Sequence, residues 1–468
     1  MEFNPMRALR WPFARRLVLL LAFARAQSPG GDSTGYAATL HRLLETGLRD
    51  REAYTMLSEL VSGGPRLSGS AGAAAAVTLT RKMMEAHDFQ NVRLEDVMVP
   101  HWVRGSVEKA SVRSGARGKP VPLSICALGG SVATPRKGIT AEVLEVTSFE
   151  QLHQQGEKAK GKIIFFNRPM DPTKLDSFDA YEGAVDQRSR GAIEAAMVGG
   201  VAALVRSMTL ALDDVPHTGA MHYDETKQKI PAAAISTVGA QSLSDLLKKD
   251  PRARLSLALS CSTLPDVRSA NVLGEIVGTE KPGEVIVVAG HLDSWDKGTG
   301  ALDDGSGCVQ AIEALRLIKT LGLRPRRTIR AVLFMNEENG NRGGTAYAVA
   351  PDRASERHIA LIESDRGGFA PRGFTVQGDS LLVKKLKRWE PLFATINAGS
   401  ITQGFGGVDI SPMVDRGVVG FGLEVENHRY FDYHHSANDT IDKVNPRELE
   451  LGAIAEALLC YLISEEGL

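Results

Sequence analysis

Val285-Ile286-Val287-Val288-Ala289-Gly290-His291-Leu292-Asp293 decides how this chain is read. The unbroken apolar run has the pattern of a strand buried on both faces, and it ends at a histidine followed two residues later by a carboxylate. Ligands of open α/β sheets bind outside the carboxyl ends of the strands, so the polar pair marks a site at that edge. A lone histidine would suit a structural role. Asp293 changes the reading, because a ligating imidazole usually hands its other N–H to an acceptor that fixes tautomer and ring direction.

Around this strand, segments 328–335, 359–363 and 418–424 have the same apolar character. They alternate with helical patterns over 306–320, 379–392 and 446–464. Such strand and helix units argue for a mostly parallel sheet covered on both faces. The last helix starts well: Asn445 can cap it, Pro446 suits the first turn, and Glu448 completes a box-like cap. Upstream, 38–90 reads as helical around the turn Gly63-Gly64-Pro65 and leads into an extended stretch at 92–99. Between 123 and 264, strand-like runs at 142–146, 162–166, 202–205, 232–235 and 255–259 alternate with helical segments at 191–198 and 242–249. That stretch has His217 and His222 but no spaced set of ligands, and it reads as an insertion that shapes access.

The strand-end pattern recurs. Gly300-Ala301-Leu302-Asp303-Asp304-Gly305 runs into a helix, where two acids would ordinarily serve as a cap. Asn336-Glu337-Glu338 places adjacent carboxylates just past a buried strand, where like charges repel and an unpaired charge is costly; a nearby cation resolves the conflict. Ser364-Asp365 follows another strand, and Tyr433-His434-His435-Ser436 adds imidazoles in a late loop. Two imidazoles with three or more carboxylates suit zinc or a similar divalent ion, not a thiolate cage.

Composition narrows the class. With 468 residues, 43% hydrophobic, the chain can bury a large core and exceeds one ordinary domain. Its 55 basic and 56 acidic residues are interspersed, which excludes a nucleic-acid footprint or polybasic anchor. Arg7, Arg10, Arg15 and Arg16, an apolar run over 17–24 and Ala24-Arg25-Ala26 read as a cleaved secretory signal over 1–26. The run is too short to span a bilayer. Cys126, Cys261, Cys308 and Cys460 form no CxxC and no close pair, and Cys308 shares a helical face with Ile312 and Leu315, as core residues do.

At these motifs the chain resembles the co-catalytic zinc exopeptidases, the family that includes bacterial aminopeptidases and carboxypeptidase Q. Segments Gly64-Pro65-Arg66-Leu67-Ser68-Gly69, Gly138-Ile139-Thr140-Ala141-Glu142-Val143, Gly290-His291-Leu292-Asp293-Ser294-Trp295-Asp296 and His434-His435-Ser436 carry the likeness to the carboxypeptidase Q branch over roughly 50–465. The resemblance implies a phosphorylase/hydrolase-like mixed α/β sheet between helices, with a smaller α/β protease-associated domain inserted. Boundaries are a short pro-segment over 27–48, a catalytic domain over 49–122 and 265–468, and the insertion over 123–264.

By the same resemblance, two zinc ions per subunit are expected: His291 and Asp365 hold one, Glu338 and His435 the other, and Asp303 bridges them. Glu337 is the expected general base and Asp293 the partner of His291. His435 is preferred to His434 because the late family motif aligns with His435, Ser436, Asp439 and Thr440. The implied activity is hydrolysis of dipeptides or short peptides by a secreted, periplasmic or lysosomal homodimer without a membrane span. An aminopeptidase of this family is the alternative, and a non-catalytic binding protein on the same fold is the alternative of another class. No motif selects a free amine or a free carboxylate as the substrate anchor. Phe405 stands in a glycine-rich segment where many relatives have histidine. Asn438-Asp439-Thr440 is formally a glycosylation sequon, but it lies inside the expected metal loop and is expected to be unmodified.

Overall fold

The computed structural model describes residues 33–115 and 117–468. The signal expected over 1–26 lies outside these residues. Among the described residues, eight strands form the larger sheet: β1 (Gln90–Val103), β2 (Ser262–Ile276), β3 (Lys281–His291), β4 (Arg327–Phe334), β5 (Arg357–Glu363), β6 (Pro371–Gln377), β7 (Ser400–Gln403) and β8 (Val419–Val425), in the order β1-β2-β4-β3-β5-β8-β6-β7. β4, β3, β5 and β8 are parallel neighbours. β1 and β2 continue the sheet antiparallel on one side, and β6 returns antiparallel to β8 on the other. The sheet is therefore mixed, and the mostly parallel expectation describes only its centre. The flanking strands were hard to read because the first half of β2 is exposed and polar, with no apolar run to mark it.

β3 shows why the centre needs apolar residues on both faces. Ile286 and Val288 pack among Cys308, Ile312 and Leu315 of the helix Ser306–Thr320 and Leu458 of the helix Pro446–Glu466. Val285, Val287 and Ala289 face Tyr347, Ile410 and Met413 on the opposite side. Asn445 caps the last helix by accepting from the backbone N–H groups of Arg447 and Glu448. The helical segment expected over 379–392 is present as Ser380–Leu386 and Glu390–Phe393, joined by a tighter 3-10 turn at Lys387–Trp389. Pro391, which lacks an N–H, sits in the first turn of the second piece. The helix Ser33–Asp50 overlaps the proposed pro-segment and buries Leu40 and Leu43 in the main core.

A second mixed sheet is built from Val121–Leu123, Glu108–Arg113, Arg254–Leu259, Ile139–Val146, Ile163–Phe166, Ala202–Arg206, Ala232–Ile235 and Ile125–Ala127, in that order. It takes in strands ahead of residue 123. Its own core contains Phe165, Leu204, Leu243 and Leu255, together with Trp102 and Trp295 from the larger unit. All four cysteines are buried and free. No described helix is long and apolar enough to cross a membrane.

Candidate active site

The carboxyl ends of β3, β4 and β5 open on one edge. His291 lies across from Phe334, and Ala289 across from Glu363. His291 closes β3, Glu337 and Glu338 leave just past β4, and Asp365 just past β5. Asp303 arrives from the turn before the helix Ser306–Thr320, and His435 from the loop before the last helix.

The structure brings all six side chains together. His291 Nε2 lies 3.2 Å from Asp303 Oδ1 and 3.4 Å from Asp365 Oδ1. On the other flank of Asp303, His435 Nε2 lies 3.3 Å from Asp303 Oδ2 and 3.0 Å from Glu338 Oε2. His434 stacks on His435 with ring centroids 3.5 Å apart, and its Nε2 is 3.8 Å from Asp303 Oδ2. Glu337 stands further back, 4.0 Å from His291 Nε2. Two donor sets suit a cation: His291, Asp303 and Asp365, and Asp303, His434 and His435. His291 Nε2, Asp303 Oδ2 and Asp365 Oδ1 are buried without a hydrogen-bond partner. Buried polar atoms are almost always paired, so three orphans converging in one place fit a metal ion.

The surrounding chain fixes these donors. His291 Nδ1 is 3.0 Å from the main-chain oxygen of Asp293, so Asp293 partners the imidazole through its carbonyl. Its carboxylate does something else: it accepts from the backbone N–H groups of Asn336 (2.6 Å) and Glu337 (3.0 Å) and from the Ser68 hydroxyl (2.8 Å). Asn336 sits at φ 79°, a left-handed conformation that Asn tolerates better than most residues. Asp293 thereby holds the bend that presents Glu337. Of the two acids in the 303–304 pair, Asp304 does cap: it accepts from Gly307 N and also from His291 N, both at 2.9 Å, and so ties strand to helix. The Asp303-Asp304 peptide is cis. Asp439 accepts from the N–H groups of Leu302 (2.7 Å) and Asp303 (3.2 Å) and seats the turn from below. Gly290 leaves room for this: a Cβ there would strike the Asp304 carboxylate and the start of the helix.

Arg66 is a residue that sequence reasoning quoted but gave no role. Buried and without an ion pair among the described residues, it donates to the carbonyls of Leu292 (2.7 Å), Thr299 (2.6 Å) and Gly300 (2.9 Å), bracing the loop between His291 and Asp303. Arg66→Met would take this donor from the carbonyls of Leu292 and Thr299 and leave that of Gly300 with only the Gly305 N–H, and we expect it to cost about 3 kcal/mol, read as a lowered midpoint in urea denaturation.

Charge is crowded here. Burial, with the carboxylates of Asp365, Asp293 and Asp303, pushes Glu337 up to about 8 against the opposing effect of His291. Burial and Asp303 likewise raise Glu338 well above the ordinary carboxylate range. Burial works to lower His291, yet Asp365, Asp303 and Glu337 hold it well above its ordinary value. Without metal, the folded chain therefore keeps protons on Glu337, Glu338 and His291 that the unfolded chain has released at the same pH. The sign follows: stability of the metal-free protein falls as pH rises from the ordinary carboxylate range toward about 8. Thermal denaturation in a chelator at pH 5, 6.5 and 8 checks this, with the lowest midpoint expected at pH 8.

Asp303, Glu337, Glu338, Asp365 and His435 line a cavity of about 270 Å³ whose far wall comes from the second unit: Tyr181, Arg188 and Ala220. Tyr181, Asp365 and Val408 are shared with an adjoining pocket of about 260 Å³ that reaches Arg366 and the exposed ring of Phe405. The second unit thus contributes side chains to the site, which no spacing in the sequence announced.

The model of peptidase family M28 matches residues 271–459. Bovine (Bos taurus) carboxypeptidase Q is 36% identical over 430 residues, 92% of this chain and 89% of its own length. A crystal structure of a peptidase M28 precursor from Shewanella amazonensis superposes with a TM-score of 0.88 at 32% identity, over 92% of this chain and 97% of that one. The zinc aminopeptidase of Bacillus subtilis shares the fold, with a TM-score of 0.62 at 21% identity over 87% and 93% of the two chains. With a strand-end cluster of buried histidines and acids inside the matched region, this chain belongs to peptidase family M28, as a carboxypeptidase Q-like metallopeptidase.

Proposed function

We propose that the protein is a secreted exopeptidase that hydrolyses dipeptides or short peptides at a two-zinc site. His291 and Asp365 would hold one ion, Glu338 and His435 the other, with Asp303 between them. The observation that carries the reading is the convergence of three unpartnered buried donors, His291 Nε2, Asp303 Oδ2 and Asp365 Oδ1, beside His435 Nε2. His435 is chosen over His434 because its Nε2 is closer to Asp303 and also meets Glu338.

Two divalent ions held there would supply Lewis acidity, lowering the pKa of a water and balancing charge on the scissile carbonyl oxygen. Glu337 does the proton work. Its backbone is pinned by Asp293 and its carboxylate opens on the cavity. The positive charge of bound cations opposes the burial that raises its pKa and favours the ionised base. Glu337 takes a proton from the attacking water as the new C–O bond forms. It then delivers that proton to the leaving nitrogen as the C–N bond breaks. Asp293 keeps the carboxylate aimed at this exchange.

The second sheet reads as an inserted protease-associated domain that begins ahead of the expected boundary at 123, with the strand Glu108–Arg113, and runs to about 264; the rest of 49–468 forms the catalytic domain, with a signal over 1–26 and a pro-segment over 27–48. The family resemblance extends the reading to a homodimer. The test is release of amino acids from a dipeptide by the purified full chain, with zinc and after chelation. Zinc-dependent release is expected; no release from a protein carrying two zinc ions would overturn the proposal.

A further inference from the structure

Tyr433 to Ser436 form a turn in which the Ser436 N–H donates to the Tyr433 carbonyl at 3.1 Å. His434, at φ −42° and ψ 126°, and His435, at φ 59°, fill its two central positions, which is the shape of a type II turn. Such a turn puts its third residue in the left-handed region, where glycine or asparagine is usual and a histidine is strained. The type I alternative relieves that strain by flipping the one peptide between the two central residues. Something outside the turn must hold that peptide where it is.

The second unit does so. Buried His217 has Nδ1 2.7 Å from the His434 carbonyl oxygen, which belongs to the central peptide of the turn. A carbonyl can only accept, so Nδ1 carries the proton and donates it to this bond. One residue on, the Thr218 N–H donates to the His435 carbonyl at 2.9 Å. Because peptides are planar, the two bonds fix the plane on each side of the His435 Cα, and with them its φ and ψ. The supporting segment is itself anchored. His217 N–H donates to Ser207 Oγ at 2.9 Å, Thr218 Oγ1 to the Ala127 carbonyl at 2.8 Å, and Gly129 N–H to the Gly219 carbonyl at 2.9 Å. Gly219 lets the segment run this close, since a Cβ there would meet the His435 ring.

The dependence is one-sided. On the His435 flank of the site, Trp295 N–H donates to Glu338 at 3.1 Å. The Trp295 indole is sunk in the core of the second unit and meets the His435 ring edge-on, with centroids 5.8 Å apart. On the other flank, His291 ends β3 and Asp365 follows β5, so the larger sheet places both.

We propose that His217 is a positioning residue for one of the two metal ions: by holding the peptide between His434 and His435, it fixes the turn that aims His435 Nε2 at Asp303 and Glu338. The second unit thereby completes one half of the metal site. This inference rests on the two-zinc reading above and deepens it, by giving the two ions different supports.

The test is zinc per chain and zinc affinity of the full-length protein, measured by competition with a chelator. The unmodified protein is expected to hold two ions. His217→Phe, which keeps a ring but has no N–H, should weaken one ion by about 10–100-fold and leave the other unchanged. His217→Asn, whose amide can place an N–H near the position of Nδ1, should restore much of that loss. In Asp365→Ala, which is expected to keep only the ion at His435, adding His217→Phe should bring zinc close to zero. Circular dichroism establishes that each variant is folded, and His217→Leu replaces His217→Phe if the latter is not. Two ions held by His217→Phe with unmodified affinity would overturn the inference. Equal weakening of both ions would also do so, because general destabilisation does not choose between them. An Asp365→Ala, His217→Phe double variant that still holds one ion would contradict it as well, as would His217→Asn binding no better than His217→Phe. Fewer than two ions in the unmodified protein would overturn the two-metal reading itself and this inference with it.

Discussion

Glu337→Gln is expected to lower kcat by roughly 10³-fold while the protein keeps its fold and both metal ions. The separation of roles comes from geometry. The donors proposed as ligands approach one another at 3.0–3.4 Å, whereas Glu337 lies 4.0 Å from His291 Nε2 and is half-buried at the cavity wall. Its backbone N–H is held by Asp293, so an isosteric amide would occupy the same place. What glutamine cannot do is take a proton from water and return it to a leaving amine. Steady-state kinetics with zinc analysis on the same sample reads both halves of the expectation. Retained turnover would assign the base to another group, and lost zinc would make Glu337 a ligand.

Asp303→Ala should have the widest effect on metal. Its two carboxylate oxygens face different imidazoles, His291 at 3.2 Å and His435 at 3.3 Å. No other described residue reaches both. Its removal is expected to weaken retention of both ions by at least about 100-fold, since even groups that merely orient ligands cost 10–100-fold. Asp365→Ala, whose carboxylate approaches only His291 among the imidazoles, should release one ion and spare the other. Zinc per chain after dialysis against a competing chelator distinguishes the two: near zero for Asp303→Ala, near one for Asp365→Ala.

The centre of the fold and the strand-end residues were legible because they follow local rules. A fully buried parallel strand must be apolar throughout, as β3 is, so the polar residues that end it stand out. Arg188 obeyed no such rule. It lies 103 positions before His291 in a helical stretch, and only the packing of the second unit against the 434–435 loop brings it there. Arg66 was equally silent, since a buried arginine that serves backbone carbonyls has no partner visible in sequence. Asp293 shows a subtler limit. Spacing placed it beside His291, but which of its oxygens faces the ring depends on the bend at Asn336, and the carboxylate turned to the Glu337 backbone instead.

The most direct test of the two-metal site is an anomalous difference map from crystals of the zinc-loaded protein, recorded on both sides of the zinc edge. Two peaks are predicted, one among His291, Asp303 and Asp365 and one among Asp303, Glu338 and His435. A single peak, or peaks away from Asp303, would contradict a site in which that carboxylate joins two ions.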